Sequence, residues 1–147
     1  MKTETVFTTP AGNLLLTETD GAVTGLCFTE EASRGPESEA VRQVKAYFAG
    51  ARRAFELPLE TGGTPFQKRV WAALREIPFG QTRTYGEIAR AVGSPGAARA
   101  VGMACNRNPI LILIPCHRVL GADGALTGFA GGLDKKEYLL KLEAQIK

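Results

Sequence analysis

Thr84-Tyr85-Gly86-Glu87-Ile88-Ala89-Arg90-Ala91-Val92-Gly93-Ser94-Pro95-Gly96-Ala97-Ala98-Arg99-Ala100-Val101-Gly102 is the stretch that decides how this chain is read. Thr84 and Glu87 have the spacing of a capping box, in which each side chain satisfies the other residue's backbone N–H, and they start a short helix through Ile88, Ala89 and Val92. Gly93 breaks that helix, and Ser94-Pro95 begins another built on Ala97, Ala98, Ala100, Val101 and Gly102, with Arg99 among them. Two short helices joined by a Gly-Ser-Pro turn form a helix-turn-helix pattern whose second helix would lie against DNA. Alanine and glycine permit close approach to a duplex but supply no hydrogen bonds for reading bases, so shape or backbone binding is expected over sequence reading. Alanine-rich helix pairs also serve as plain core elements, and the pattern alone leaves both uses open.

Just downstream lies Asn108-Pro109-Ile110-Leu111-Ile112-Leu113-Ile114-Pro115-Cys116-His117-Arg118-Val119. The two prolines bias their predecessors away from helix, which predicts a short buried extended segment over 110–114 delivering Cys116 into a turn. Cys116 is the candidate nucleophile. The chain's one histidine, His117, follows it, and an imidazole with Arg118 beside it is a setting that lowers a thiol pKa. Neighbouring side chains in a strand point to opposite faces, so His117 can act on the sulfur only across a tight turn or through a water. The other ring nitrogen needs a partner to fix the tautomer, and Glu143 on a C-terminal helix is the candidate. Upstream, Thr64-Pro65-Phe66-Gln67 opens a helix with Phe66, Val70, Leu74 and Ile77 on one face.

The first third reads as a meander of strands over 3–8, 14–19 and 22–28 with an Asp20-Gly21 hairpin turn, followed by a helix opened by Pro36, carrying Val41, Val44 and Phe48 and closed by Gly50. The fold class expected is therefore a small α/β N-terminal domain over 1–58, a connection, and a mainly α C-terminal domain with the helix-turn-helix over 64–147.

The chain has 147 residues, 44% of them hydrophobic, enough for one domain or two small ones. No segment approaches eighteen apolar residues and no secretion signal opens the chain, so no membrane partner is expected. Three cysteines, at 27, 105 and 116, are odd in number and widely spaced, which indicates reduced thiols and a cytoplasmic setting. Cys27 and Cys105, with no histidine beside them, read as structural. With one histidine and no paired cysteines, no metal site is expected. Net charge is +3, but residues 1–57 carry six Lys/Arg against eight Asp/Glu while residues 64–147 carry twelve against six. A basic half favours a polyanionic partner such as nucleic acid.

Thr84-Tyr85-Gly86-Glu87-Ile88-Ala89, Ala97 to Gly102, Asn108-Pro109, Ile114-Pro115-Cys116-His117-Arg118-Val119, Gly128-Phe129-Ala130-Gly131-Gly132 and Leu139-Leu140-Lys141-Leu142-Glu143 together strongly resemble the O6-alkylguanine-DNA alkyltransferase family over residues 64–147. The resemblance implies a winged-helix-like C-terminal domain, a ribonuclease-H-like sheet before it, and a monomer without a cofactor. It also implies single-turnover direct-reversal repair: O6-alkylguanine, and in some relatives O4-alkylthymine, is flipped from double-stranded DNA and its alkyl group moves irreversibly to Cys116. On the same ground His117 acts through water and Glu143 orients it. Tyr85 protonates the departing guanine and crowds the backbone, Arg99 fills the gap in the stack, and Ala97, Ala98 and Gly102 approach the DNA. Asn108 ties the helix pair to the active-site segment, while Pro115, Val119 and Ala130 shape the pocket. Ala130 stands where some relatives carry serine, and the zinc ligands of some relatives' first domain are absent. Two other readings are a non-enzymatic alkyltransferase-like lesion-binding protein, which Cys116 argues against, and an unrelated Cys-His hydrolase.

Overall fold

A computed structural model of the chain describes residues 1–126, 129 and 131–145. They form two compact units, Met1–Thr61 and Gly62–Lys147. In the first, strands β1 (Lys2–Thr9), β2 (Gly12–Thr19) and β3 (Ala22–Thr29) make an antiparallel sheet in the order β1-β2-β3. Asp20 and Gly21 both take positive φ, 51° and 86°, the pair of values that a two-residue hairpin turn requires. Phe7, Leu14, Leu16 and Leu26 are buried on the sheet, and helix α1 (Glu39–Phe48) buries Ala40, Val41, Val44, Tyr47 and Phe48. This helix begins later than its sequence suggests: Ser38, not Pro36, is its cap. The carbonyl of Pro36 instead accepts a 2.9 Å hydrogen bond from Thr5 Oγ1, which ties the proline to the sheet. The connection after α1 is also used. Val23 N donates to Pro58 O and Glu60 N to Val23 O, both at 2.9 Å, so Leu59 covers the edge of β3.

The second unit is mainly helical. Helix α2 (Pro65–Arg75) carries the full capping box between Thr64 and Gln67. It buries Val70, Trp71 and Leu74, with Ile77 just beyond, while Phe66 is only half-buried. Gly63 precedes the cap at φ 98°, and a Cβ there would lie 2.8 Å from the Trp71 ring, so no larger residue fits without displacing that ring. Trp71 Nε1 donates to Ala104 O at 2.9 Å, pinning α2 to helix α4 (Ala98–Asn106). Helix α3 (Tyr85–Ala91) has the expected Thr84–Glu87 capping box. The second helix of the pair begins at Ala98 rather than at Ser94-Pro95. Residues 94–97 close a turn, Ala97 N donating to Ser94 O at 2.9 Å, and Ala97 has no side-chain oxygen with which to cap.

The apolar run 110–114 is buried throughout, but it is not extended. Leu113 N donates to Leu111 O at 2.8 Å and Ile114 N to Ile110 O at 3.0 Å, and Ile112 sits at φ 73°. An extended segment would send alternate side chains to opposite faces, whereas this coil turns all five inward. Positive φ at a β-branched residue costs about 1–3 kcal/mol and persists only where its surroundings enforce it. Strands β4 (Arg83–Thr84) and β5 (Val119–Leu120) pair in parallel, and helix α5 (Leu133–Gln145) follows. No helix among the described residues is long and apolar enough to cross a membrane.

Candidate active site

Pro115 adopts φ −81°, ψ 63°, and Cys116 N donates to Ile114 O at 2.8 Å. This three-residue turn leads into a single 3₁₀ turn over Cys116–Arg118, so Cys116 and His117 avoid the opposed geometry of a strand. Asn108 organises the approach. Its Nδ2 donates to Ile114 O at 2.8 Å and to Cys116 Sγ at 3.2 Å, while its Oδ1 accepts from Ile110 N at 2.9 Å. One buried amide thus links the end of the helix pair to the sulfur.

His117 is fully buried, and its Nε2 lies 2.7 Å from Glu143 Oε2. Glu143 is 2% exposed. Its carboxylate also accepts from Arg118 Nε at 2.8 Å, Arg118 Nη2 at 2.9 Å and Gly80 N at 3.2 Å. Arg118 Nη1 donates to Ile77 O at 2.6 Å. Burial alone would raise the Glu143 pKa, but the His117 and Arg118 contacts more than offset it and hold the carboxyl well below the ordinary carboxylate range. Burial drives His117 the other way, below its ordinary 6.5, despite Glu143. The consistent assignment is an ionised Glu143 accepting from a neutral Nε2–H. That leaves the lone pair on Nδ1, which is buried and has no hydrogen-bond partner among the described residues.

The thiol itself departs from expectation. Burial pushes Cys116 up to about 11, against smaller opposing effects of Asn108 and Lys136. The expected lowering fails because Arg118 is engaged with Glu143, not the sulfur, and the imidazole is neutral. Burial thus favours the protonated thiol at Cys116. Of the other cysteines, Cys105 is buried and pushed up to about 12 by that burial, whereas Cys27 lies exposed on β3 rather than inside a core.

The β4–β5 pairing aligns Thr84 with Leu120, and Tyr85 follows as the first residue of α3. Tyr85 is half-buried and Gly102 of α4 faces its ring, a Cβ there falling 3.8 Å from Cε1. Pro115 and Val119 are buried. Arg99 is exposed on α4, with Ala97, Ala98 and Gly102 half-buried nearby; Ala130 lies outside the described residues. Sequence reasoning missed Lys136. It is fully buried on α5, its Nζ donates to Val119 O at 2.6 Å and stands 5.9 Å from the centre of the Tyr85 ring. A signal existed: Lys136, Leu139 and Glu143 recur at i, i+3 and i+7, the spacing of a buried helical stripe, but the charges at its two ends suggest a solvent face. Among the described residues, no group of three or more His, Cys, Asp or Glu is placed to hold a metal ion.

Two family profiles match the chain. That of the 6-O-methylguanine DNA methyltransferase DNA binding domain covers residues 65–145, and that of the ribonuclease-like domain of the same protein covers residues 2–61, so the resemblance read on 64–147 extends through the first domain as well. The methylated-DNA–protein-cysteine methyltransferase of Mycolicibacterium paratuberculosis is 51% identical over 144 residues, spanning 91% of this chain and 87% of that protein. The crystal structure of the Mycobacterium tuberculosis O6-methylguanine methyltransferase superposes with TM-score 0.92 at 44% identity, covering 100% of this chain and 95% of that one. A structure of the M. tuberculosis protein in complex with DNA gives TM-score 0.88 at 48% identity over 95% and 91% of the two chains. A turn that presents a buried thiol beside a carboxylate-bound imidazole thus sits in a chain matched along nearly its whole length, and the chain belongs to the 6-O-methylguanine DNA methyltransferase family.

Proposed function

We propose that this chain is a methylated-DNA–protein-cysteine methyltransferase that repairs O6-alkylguanine in double-stranded DNA by direct reversal, Cys116 being the acceptor. The relay Cys116, His117, Glu143, with Nε2 and Oε2 2.7 Å apart, carries this reading. His117 Nδ1, the nitrogen with the lone pair, takes the thiol proton through a water, and the imidazolium that forms is stabilised by Glu143 as a base is by its orienting carboxylate. The sulfur then attacks the alkyl carbon. The S–C bond forms, the C–O6 bond breaks, and its electron pair stays on the guanine, which Tyr85 protonates. A thioether cannot be hydrolysed as a thioester can, so each molecule reacts once.

Residues 64–147 serve as the catalytic domain and residues 1–58 as a small companion. The base is reached by extrusion, at a few kcal/mol of unstacking. Tyr85 and Arg99 promote it, α4 approaches through Ala97, Ala98 and Gly102, and Asn108, Pro115, Val119 and Ala130 hold the pocket. The protein acts as a cytoplasmic monomer.

The test is intact-mass and peptide analysis after mixing with duplex containing O6-methylguanine. A gain of about 14 Da on the peptide bearing Cys116, saturating at one equivalent, is expected. Mass on another residue, no gain, or repeated turnover on a small ester would overturn the assignment.

A further inference from the structure

On α4 the side chains of Val101, Ala104 and Cys105 are buried, while Arg99, Met103 and Asn106 lie on the opposite side and are exposed. Met103 is 60% exposed, and of the large hydrophobic residues described only Met1 is more so. The core does not need this side chain, and water disfavours it. It stands one turn beyond Arg99 and one turn before Arg107, in a stretch over 83–107 that has four arginines and one glutamate. Ala98 and Gly102 on the same helix keep the adjoining surface low. An apolar prominence within a basic, otherwise small-residue face is complementary to a duplex, where phosphates flank an apolar base stack.

We propose that Met103 is an apolar wedge in DNA binding: as α4 docks, its thioether packs on sugar and base edges in the minor groove, at the step next to the one Arg99 enters, and holds that step unstacked. Methionine suits this role because an unbranched, polarisable chain adapts to an irregular gap. The proposal rests on the reading of α4 as the docking helix, and it adds a positioning residue whose contribution is apolar. Loss of a phosphate contact flattens the salt dependence of binding, whereas loss of an apolar contact does not.

The experiment measures affinity of the full chain for O6-methylguanine duplex at about 50 and 200 mM salt, with Met103→Ala, Met103→Glu and Arg99→Ala, and transfer rates from the duplex and from free O6-methylguanine. Met103→Ala weakens duplex binding about three- to tenfold, equally at both salt concentrations, and Met103→Glu weakens it more. The transfer deficit appears with the duplex and not with the free base. If Arg99→Ala weakens binding while Met103→Ala stays within about twofold of wild type, the wedge is overturned and docking through α4 stands. If neither variant weakens binding, both fall. A Met103→Ala loss that vanishes at high salt, or that also slows reaction with the free base, overturns the wedge as well.

Discussion

At the residue scale the site is governed by one carboxylate. Glu143 is buried with Arg118 and His117 on it, and removing one member of such a cluster leaves a charge or a donor stranded in low dielectric, at about 3–5 kcal/mol. Glu143→Gln is therefore expected to destabilise the fold by about that amount and to slow transfer by weakening the base, with thermal melts and single-turnover rates as the measurements. An unchanged melting temperature would contradict the network. Cys116→Ala behaves differently: it abolishes transfer yet retains lesion binding in a gel-shift assay, since the change removes only a sulfur that accepts a 3.2 Å hydrogen bond from Asn108. The free thiol, pushed up to about 11, is expected to react sluggishly with iodoacetamide at neutral pH and to speed up only toward alkaline pH. Rapid alkylation at pH 7 would show that the thiolate preexists.

Elements show where local signals suffice. Both capping boxes, Thr64–Gln67 and Thr84–Glu87, are written in four consecutive residues and form as read; Thr84→Ala is expected to cost about 1 kcal/mol, measurable by denaturant titration. Where an outcome depended on neighbours, local reading failed. Residues 110–114 carry strand composition but coil inward because all five side chains are buried, and the Ser94-Pro95 signal yields to a turn, with α4 starting at Ala98. Gly102 offers a sharper test. A Cβ there meets Tyr85 at ordinary contact distance, so Gly102→Ala should raise helix stability by about 0.5–1 kcal/mol. If the glycine serves close approach to DNA, the same change weakens duplex binding. A variant that is stabilised and binds as before would remove Gly102 from the interface.

At the scale of the whole molecule, the buried titratable groups set the pH range of stability. His117 is lowered from 6.5 and Glu143 from 4.5; a depressed folded pKa supplies stability that is present above the unfolded value and lost as pH falls through the folded one. Melting temperature should therefore drop as pH goes below 6.5, then further below 4.5, the ordinary values from which the two groups are lowered. Cys116 and Cys105 are raised from 9.0 to about 11 and 12, the opposite sign, so their contribution is complete below 9 and lost as pH climbs through 11 and 12. A His117→Gln variant should lose the first acid limb and keep a smaller second one, carried by Arg118 on Glu143, which calorimetry across pH would reveal.

The order of elements, the helix pair, the paired thiol and imidazole and the basic C-terminal half were legible in the chain itself, because caps, turns, periodicity and charge are set by residues a few positions apart. Placing Glu143 on His117, diverting Arg118 from the sulfur to that carboxylate, burying Lys136 against Val119 and keeping Cys116 protonated required tertiary structure. Those outcomes depend on burial and on partners 17 to 26 residues away, and the cost of removing a charge from water is fixed only when the surrounding core has closed.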